Sequence, residues 1–306
     1  MTSHFSNEQL KIQNLFDVSK LKTVVTGGGS GIGLMITQAL AANGATVYIT
    51  GRSKDKLDQV VKEYSSDSTG KIIAIPCDIS KKDECLRLAK EVGEKEPNGI
   101  HLLVNNAGIA RDDNNKLSNN PPESWEDAEA LSKHMLESDP AEWQNTFETN
   151  VTAQFFVAAA FVPLLAKANK NAWEPFKGIK YTSSIVNISS ISGIMKGTSS
   201  GQFAYANSKA ALRMQSFHLG SHLQGTGIRV NQIAPGVFPS EMTTGESDDK
   251  QKSELSSELS NPAGRGGSDS EMAATILYLA GPGGLFCNGE VIHPDGGSTL
   301  VSPSTM

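Results

Sequence analysis

Residues 22–33 read KTVVTGGGSGIG, a short β-branched run that opens directly into glycines. Five residues are too few for a helix, and β-branched side chains flanked by glycine mark a buried strand at Lys22–Thr26. Residues Ile32–Ala42 supply an apolar helix, Asn43-Gly44 stops it, and Thr46–Thr50 (TVYIT) is a second strand. The strict G-x-G-x-x-G fingerprint fails in every register, because its third position falls on Ile32, Leu34 or Ile36. Gly27, Gly31 and Gly33 still allow a tight turn, close approach of backbone to a pyrophosphate and close packing of helix on strand. The helix start adds free N–H groups and a positive dipole end, with Gly29, Ser30 and Ile32 completing the expected phosphate-binding loop. The plain alternative is a glycine-rich turn with no ligand.

Outward from this unit, strand and helix alternate. Helices are expected at Lys56–Tyr64, Lys81–Val92, Glu142–Lys167, Tyr205–Leu223 and Asp269–Leu279. Strands are expected at Lys71–Pro76, His101–Asn105, Ser184–Ile188, Ile228–Ile233 and Glu290–His293. This rhythm predicts an α/β fold: a single-domain, Rossmann-like, doubly wound parallel sheet with helices on both faces. It occupies residues 21–306, behind an N-terminal arm at 1–20. Two stretches break the rhythm. Residues 111–140, helical in Trp125–Glu137, read as a decorating insertion; residues 239–267, following a strand end, read as a substrate lid.

Composition narrows the function. The 306 residues are 38% hydrophobic and 20% charged, enough to bury roughly three quarters of the unfolded surface in one core. A net charge of −6 leaves no basic footprint for nucleic acid. Cys77, Cys85 and Cys287 form no C-x-x-C pair, so neither a disulfide framework nor a zinc site is expected. The N-terminus lacks an apolar leader, and no eighteen uninterrupted apolar residues suggest a membrane span, so a cytoplasmic protein is expected. His218 and His222 share a helix face without a third ligand, so no metal is expected either.

Gly51-Arg52-Ser53 follows the second strand, where an adenosine ribose would lie. Arg52 can pair a 2′-phosphate bidentately, which favours NADP(H) over NAD(H). Asp78 can accept from the adenine amine, with Ile79 beside it, and Asn106, Ala107 and Gly108 keep the fourth strand end free of bulk. By composition these are also ordinary loop residues. Tyr205 and Lys209, four apart at a helix start, share a face. At ~4 Å and an effective dielectric of about 20 their attraction is about 4 kcal/mol, roughly three pK units before desolvation. A phenol so tuned could protonate a carbonyl oxygen as a hydride reaches its carbon. Ser190, better placed than Ser189, could steady that oxygen.

Gly197–Gly201 matches G-x-S-x-G, but a nucleophile elbow joins strand directly to helix, and this pentapeptide comes several residues after its strand. A dinucleotide-binding regulator without turnover is a further alternative.

Taken in order, TGGGSGIG (26–33), NNAG (105–108), Asn150 within TNVTAQF, NISSISG (187–193), YANSK (205–209) and APG (234–236) resemble the short-chain dehydrogenase/reductase family over about residues 20–300. The resemblance implies a tetrad of Asn150, Ser190, Tyr205 and Lys209. Asn150 would hold a helix kink and a water that relays protons to Lys209, which also contacts the nicotinamide ribose. The segment after Pro235 and Gly236 would cover the site, with Val237 near the nicotinamide amide and Thr243 near the pyrophosphate. APGVFPSEMT (234–243) and the DGG at 295–297 look most similar to 3-oxoacyl reductase-like members, including those of rhamnolipid precursor synthesis. The activity so implied is hydride transfer between NADP(H) and a small-molecule carbonyl or secondary alcohol, in a homodimer or homotetramer. A sugar, polyol or small-ketone reductase of the same family is the alternative. The chain departs from the family pattern between NNAG and Asn150 and at AWEPFKGIKYTSS (172–184).

Overall fold

The computed structural model describes residues 5–111, 114–255 and 259–305. The expected arm, insertion and lid therefore each include residues outside the described ones.

Among the described residues, seven parallel strands form one sheet: β1 Lys22–Thr26, β2 Thr46–Thr50, β3 Lys71–Ala74, β4 Leu102–Asn105, β5 Ser184–Ile188, β6 Arg229–Ile233 and β7 Val291–Ile292. Their order is β3-β2-β1-β4-β5-β6-β7. It reverses between β1 and β4, and the crevice outside the carboxyl ends at such a reversal is where α/β sheets bind ligands. The reversal puts the glycine loop after β1 beside the Asn106-Ala107-Gly108 turn after β4.

The helices are α1 Ile12–Leu15, α2 Gly31–Ala42, α3 Lys54–Tyr64, α4 Lys82–Lys95, α5 Ala128–Leu136, α6 Pro140–Phe147, α7 Ala153–Lys170, α8 Phe203–Leu223, α9 Glu241–Thr244, α10 Asp269–Ala280 and α11 Ser298–Val301. They cover both sheet faces. On one, α2 packs against α10 through Leu34, Leu40, Met272 and Ile276; on the other, α4 meets α7 through Leu88, Val92, Phe161 and Leu165. Each such side chain, fully buried, contributes about 1.5–3 kcal/mol. By length and a mean hydropathy of 1.6 the run Pro140–Lys170 could pass for a membrane span, yet in the fold Val157, Phe161 and Leu165 are buried in the core.

Two expectations change. The single helix predicted at Glu142–Lys167 is interrupted by a π-turn at Glu148–Thr152, an added residue that local periodicity does not reveal. The helix predicted from Trp125 starts at Ala128, where the Asp127 side chain accepts from Glu129 N at 3.0 Å; Trp125 is exposed. The insertion is also anchored to the body of the fold. Leu117 N donates to Ser200 O at 2.8 Å, and Asn115 O presses on Gly201, joining the insertion to the loop that leads into α8.

The segment 239–267 begins with α9, closed by a Ser240/Thr243 capping box. It crosses α3 and the glycine loop. Glu241 pairs with Lys56, Lys250 with Glu63, and Tyr64 Oη donates to Lys250 O at 2.6 Å. Ser240 packs against Gly31.

Candidate active site

Tyr205 and Lys209 lie one turn apart on α8, with Lys209 Nζ 5.7 Å from the centre of the phenol ring. Lys209 is only 4% exposed and donates to Ile188 O, the last carbonyl of β5, at 2.9 Å. Two residues past that strand, Ser190 caps a 3-10 turn at Ile191–Gly193 by accepting from Ser192 N at 3.1 Å. Burial pushes the Tyr205 phenol above its usual value, and a hydrogen bond with Ser190 pulls it part of the way back. Burial also lowers Lys209, to about 8. The sequence expectation of an ammonium that makes the phenol acidic is thereby corrected. The cation makes no hydrogen bond to the phenol, and both groups have lost water, which disfavours their charged forms. At neutral pH the phenol is an acid with its proton in place. Ser189 is turned away, donating to Ile233 O at 3.2 Å.

The π-turn carries Asn150, which is fully buried. Its Oδ1 accepts from Ile109 N at 2.8 Å; its Nδ2 donates to Ile109 O at 2.8 Å and to Ser208 Oγ at 2.9 Å. Gly108 separates this amide from the lysine. A Cβ on residue 108 would lie 3.1 Å from Asn150 Oδ1 and 3.4 Å from Lys209 Nζ, so glycine lets the two face a common point.

At the other side of the crevice Gly27 takes φ +66°, a left-handed conformation that favours glycine. A Cβ on Gly33 would come 2.1 Å from Gly27 O, so α2 can seat on the loop only without one. First-turn N–H groups of a helix have no intrahelical acceptor, and Ser30 offers α2 no side-chain cap. Thr26 Oγ1 accepts from Asn106 N at 3.0 Å and Ala107 N at 3.1 Å, while Asn106 Nδ2 donates to Thr26 O at 2.9 Å and Gly27 O at 3.1 Å. These bonds tie the β1 and β4 ends together beside the glycine loop and the open N–H groups that start α2. An anionic dinucleotide fits it: Gly27–Gly33 would hold the pyrophosphate, and Lys209 would face the nicotinamide end.

Comparison with known proteins agrees with this geometry. A family model described as Enoyl-(Acyl carrier protein) reductase matches residues 27–299. A protein named short-chain dehydrogenase/reductase PhomF′, from Diaporthe leptostromiformis, is 38% identical over 95% of this chain and 96% of its own length. The chain belongs to the short-chain dehydrogenase/reductase family. The rhamnolipids biosynthesis 3-oxoacyl-[acyl-carrier-protein] reductase of Pseudomonas aeruginosa is 36% identical, over 93% of this chain and 98% of that protein. Among solved structures, the Pseudomonas aeruginosa RhlG/NADP active-site complex superposes with a TM-score of 0.74 at 32% identity, covering 93% of this chain and 98% of that one.

Within this short-chain dehydrogenase/reductase the remaining expected residues divide. Arg52 is exposed at the end of β2 with no ion pair among the described residues. Asp78 Oδ1 accepts from Ser80 N and Ser80 Oγ, at 3.2 and 2.8 Å, and the Ile79 side chain is packed in the core. Pro235 O accepts from Ile191 N at 3.1 Å, and Gly236 N donates to Pro294 O at 3.1 Å, so this pair braces the serine turn against β7's end. Val237 is partly exposed, whereas Thr243 Oγ1 is engaged within its own turn, donating to Phe238 O at 2.9 Å. In the same segment, Phe238 is buried against Gly267 and Met242 is exposed. Ser199 bonds Ser192 Oγ at 2.9 Å in an irregular loop with φ +53°, which does not form a nucleophile elbow. Residue reading missed Thr26, Ser208 and the Ile188 carbonyl. The first two stand inside quoted motifs; a backbone acceptor leaves no mark in a sequence.

Proposed function

We propose that the protein is an NADP(H)-dependent reductase of carbonyl compounds, with a 3-oxoacyl chain as substrate class. When bound, the nicotinamide cofactor supplies the hydride. Tyr205 donates its proton to the carbonyl oxygen, and Ser190, whose hydroxyl lowers that phenol's pKa, orients the oxygen as charge develops on it. Lys209, held by Ile188 O, steadies the phenol side of the site. The observation that carries this reading is the buried Lys209 against the Tyr205 ring, next to a glycine loop built for a pyrophosphate. Arg52, exposed and unengaged where a ribose 2′-phosphate would lie, supports NADP(H). Likeness to the rhamnolipid 3-oxoacyl reductase supports the substrate class.

The test is NADPH consumption with a 3-oxoacyl thioester, set against a small ketone and, in reverse, a polyol. The account expects the thioester to have the largest kcat/KM. A larger value for the polyol would overturn the substrate class, and no turnover of any of them would favour a binding regulator.

A further inference from the structure

Ser208 lies inside the YANSK motif and is fully buried. Its hydroxyl accepts from Asn150 Nδ2 at 2.9 Å and donates to Tyr205 O at 2.7 Å. Both protons of the Asn150 amide are thereby placed, the other on Ile109 O, and Oδ1 is held by Ile109 N. The carboxamide cannot turn over without losing these bonds. Ser208 thus connects the carboxamide of the π-turn to the helix that carries Tyr205 and Lys209, one residue before the lysine itself.

We propose that Ser208 is a positioning residue for the reaction. By locking Asn150 in register with α8 it keeps Asn150 Oδ1 and Lys209 Nζ turned to the same point beside Gly108. This rests on the reading of Tyr205 as the proton donor. A purely structural role is the competing explanation, and the same helix supplies its control. Ser216, 2% exposed, accepts from Asn187 Nδ2 at 2.8 Å and donates to Leu212 O at 2.8 Å, the same arrangement two turns further from Tyr205. Loss of either hydroxyl leaves a buried asparagine donor unpaired at comparable cost to the fold.

The experiment compares Ser208→Ala, Ser208→Cys and Ser216→Ala in the full chain by melting temperature, NADPH affinity and the pH profile of kcat. Cysteine fills the site with a somewhat larger and poorly hydrogen-bonding group, leaving no cavity, so it reads the effect should the alanine variant not fold. Both alanine variants are expected to melt lower by similar amounts. Misplacement of a positioning group lowers kcat by about tenfold or more, so both Ser208 variants should do so and shift the pH profile, with KM and NADPH affinity within about twofold. Ser216→Ala should leave kcat and its profile as in the wild type. Identical profiles in the two alanine variants would overturn the proposal alone. A wild-type chain that binds NADPH but reduces no carbonyl would overturn the Tyr205 reading and this proposal with it.

Discussion

Lys209 is a cation with almost no access to water, and Tyr205 beside it is a phenol partly withdrawn from water as well. Lys209 falls from 10.5 to about 8, a cost of about 3 kcal/mol for holding the charge. The folded chain binds fewer protons at this group than the unfolded chain between those two values. The cost is therefore fully present below about pH 8 and is relieved as pH rises toward 10.5. The same environment keeps the phenol protonated, which suits a proton donor in carbonyl reduction. Arg52 stands at the opposite extreme, in open solvent and without an ion pair among the described residues, and its proposed contribution is to the cofactor. Charge-assisted bonds to a 2′-phosphate are worth enough that Arg52→Asp should weaken NADPH binding by about 10- to 100-fold. NADH binding should hold or improve. Titration of both cofactors against both proteins checks this; equal loss for the two would place Arg52 outside the ribose pocket.

The elements that position the site were unevenly legible. β1, the glycine loop and α2 follow from local residue chemistry alone, and the Tyr205–Lys209 spacing fixes a shared helix face. The π-turn at Glu148–Thr152 was not readable from periodicity, since one extra residue hardly alters an apolar stripe, although the family resemblance implied a kink at Asn150. The direction of the Tyr205 shift depends on how deeply α8 sinks into the fold, which spacing does not encode. Docking of residues 114–120 on the loop before α8 is likewise a long-range contact. That loop holds Ser199, Ser200 and Gly201 at φ +53°, +56° and +91° in succession. A Cβ on Gly201 would stand 1.9 Å from Asn115 O, so Gly201→Ala must push the insertion off the loop. Such strain costs about 1–3 kcal/mol. If the insertion walls the substrate entrance, this variant should raise KM for the carbonyl by about tenfold while NADPH affinity stays the same. Steady-state kinetics and cofactor titration together check it; an unchanged KM would move the insertion out of the substrate path.

Across the whole molecule, chemistry and stability occupy opposite ends of the sheet. The carboxyl ends of β1, β4, β5 and β6 carry the site, while just before the amino end of β4 lies His101, whose ring meets Trp173 at 5.3 Å and Tyr181 at 5.8 Å. His101 Nδ1 accepts from Lys22 N at 3.0 Å, and burial lowers its pKa to about 4. Below 6.5 the unfolded chain takes up a proton that the folded chain refuses. The stability this group contributes is whole above about pH 6.5 and is lost as pH falls toward 4, up to about 3 kcal/mol. His101→Gln should flatten that part of the stability curve, as followed by denaturant melts between pH 7 and about 4.5. Parallel curves would show that other groups set the acid limit. The two functions proposed for the carboxyl end, holding a dinucleotide and delivering a proton, converge on Tyr205. The most direct measurement is therefore kcat and NADPH affinity for Tyr205→Phe, which keeps the ring and removes the proton. The account predicts a fall in kcat of about 10²- to 10⁴-fold with NADPH affinity within a few fold. Retained turnover, or loss of cofactor binding in step with activity, would contradict it.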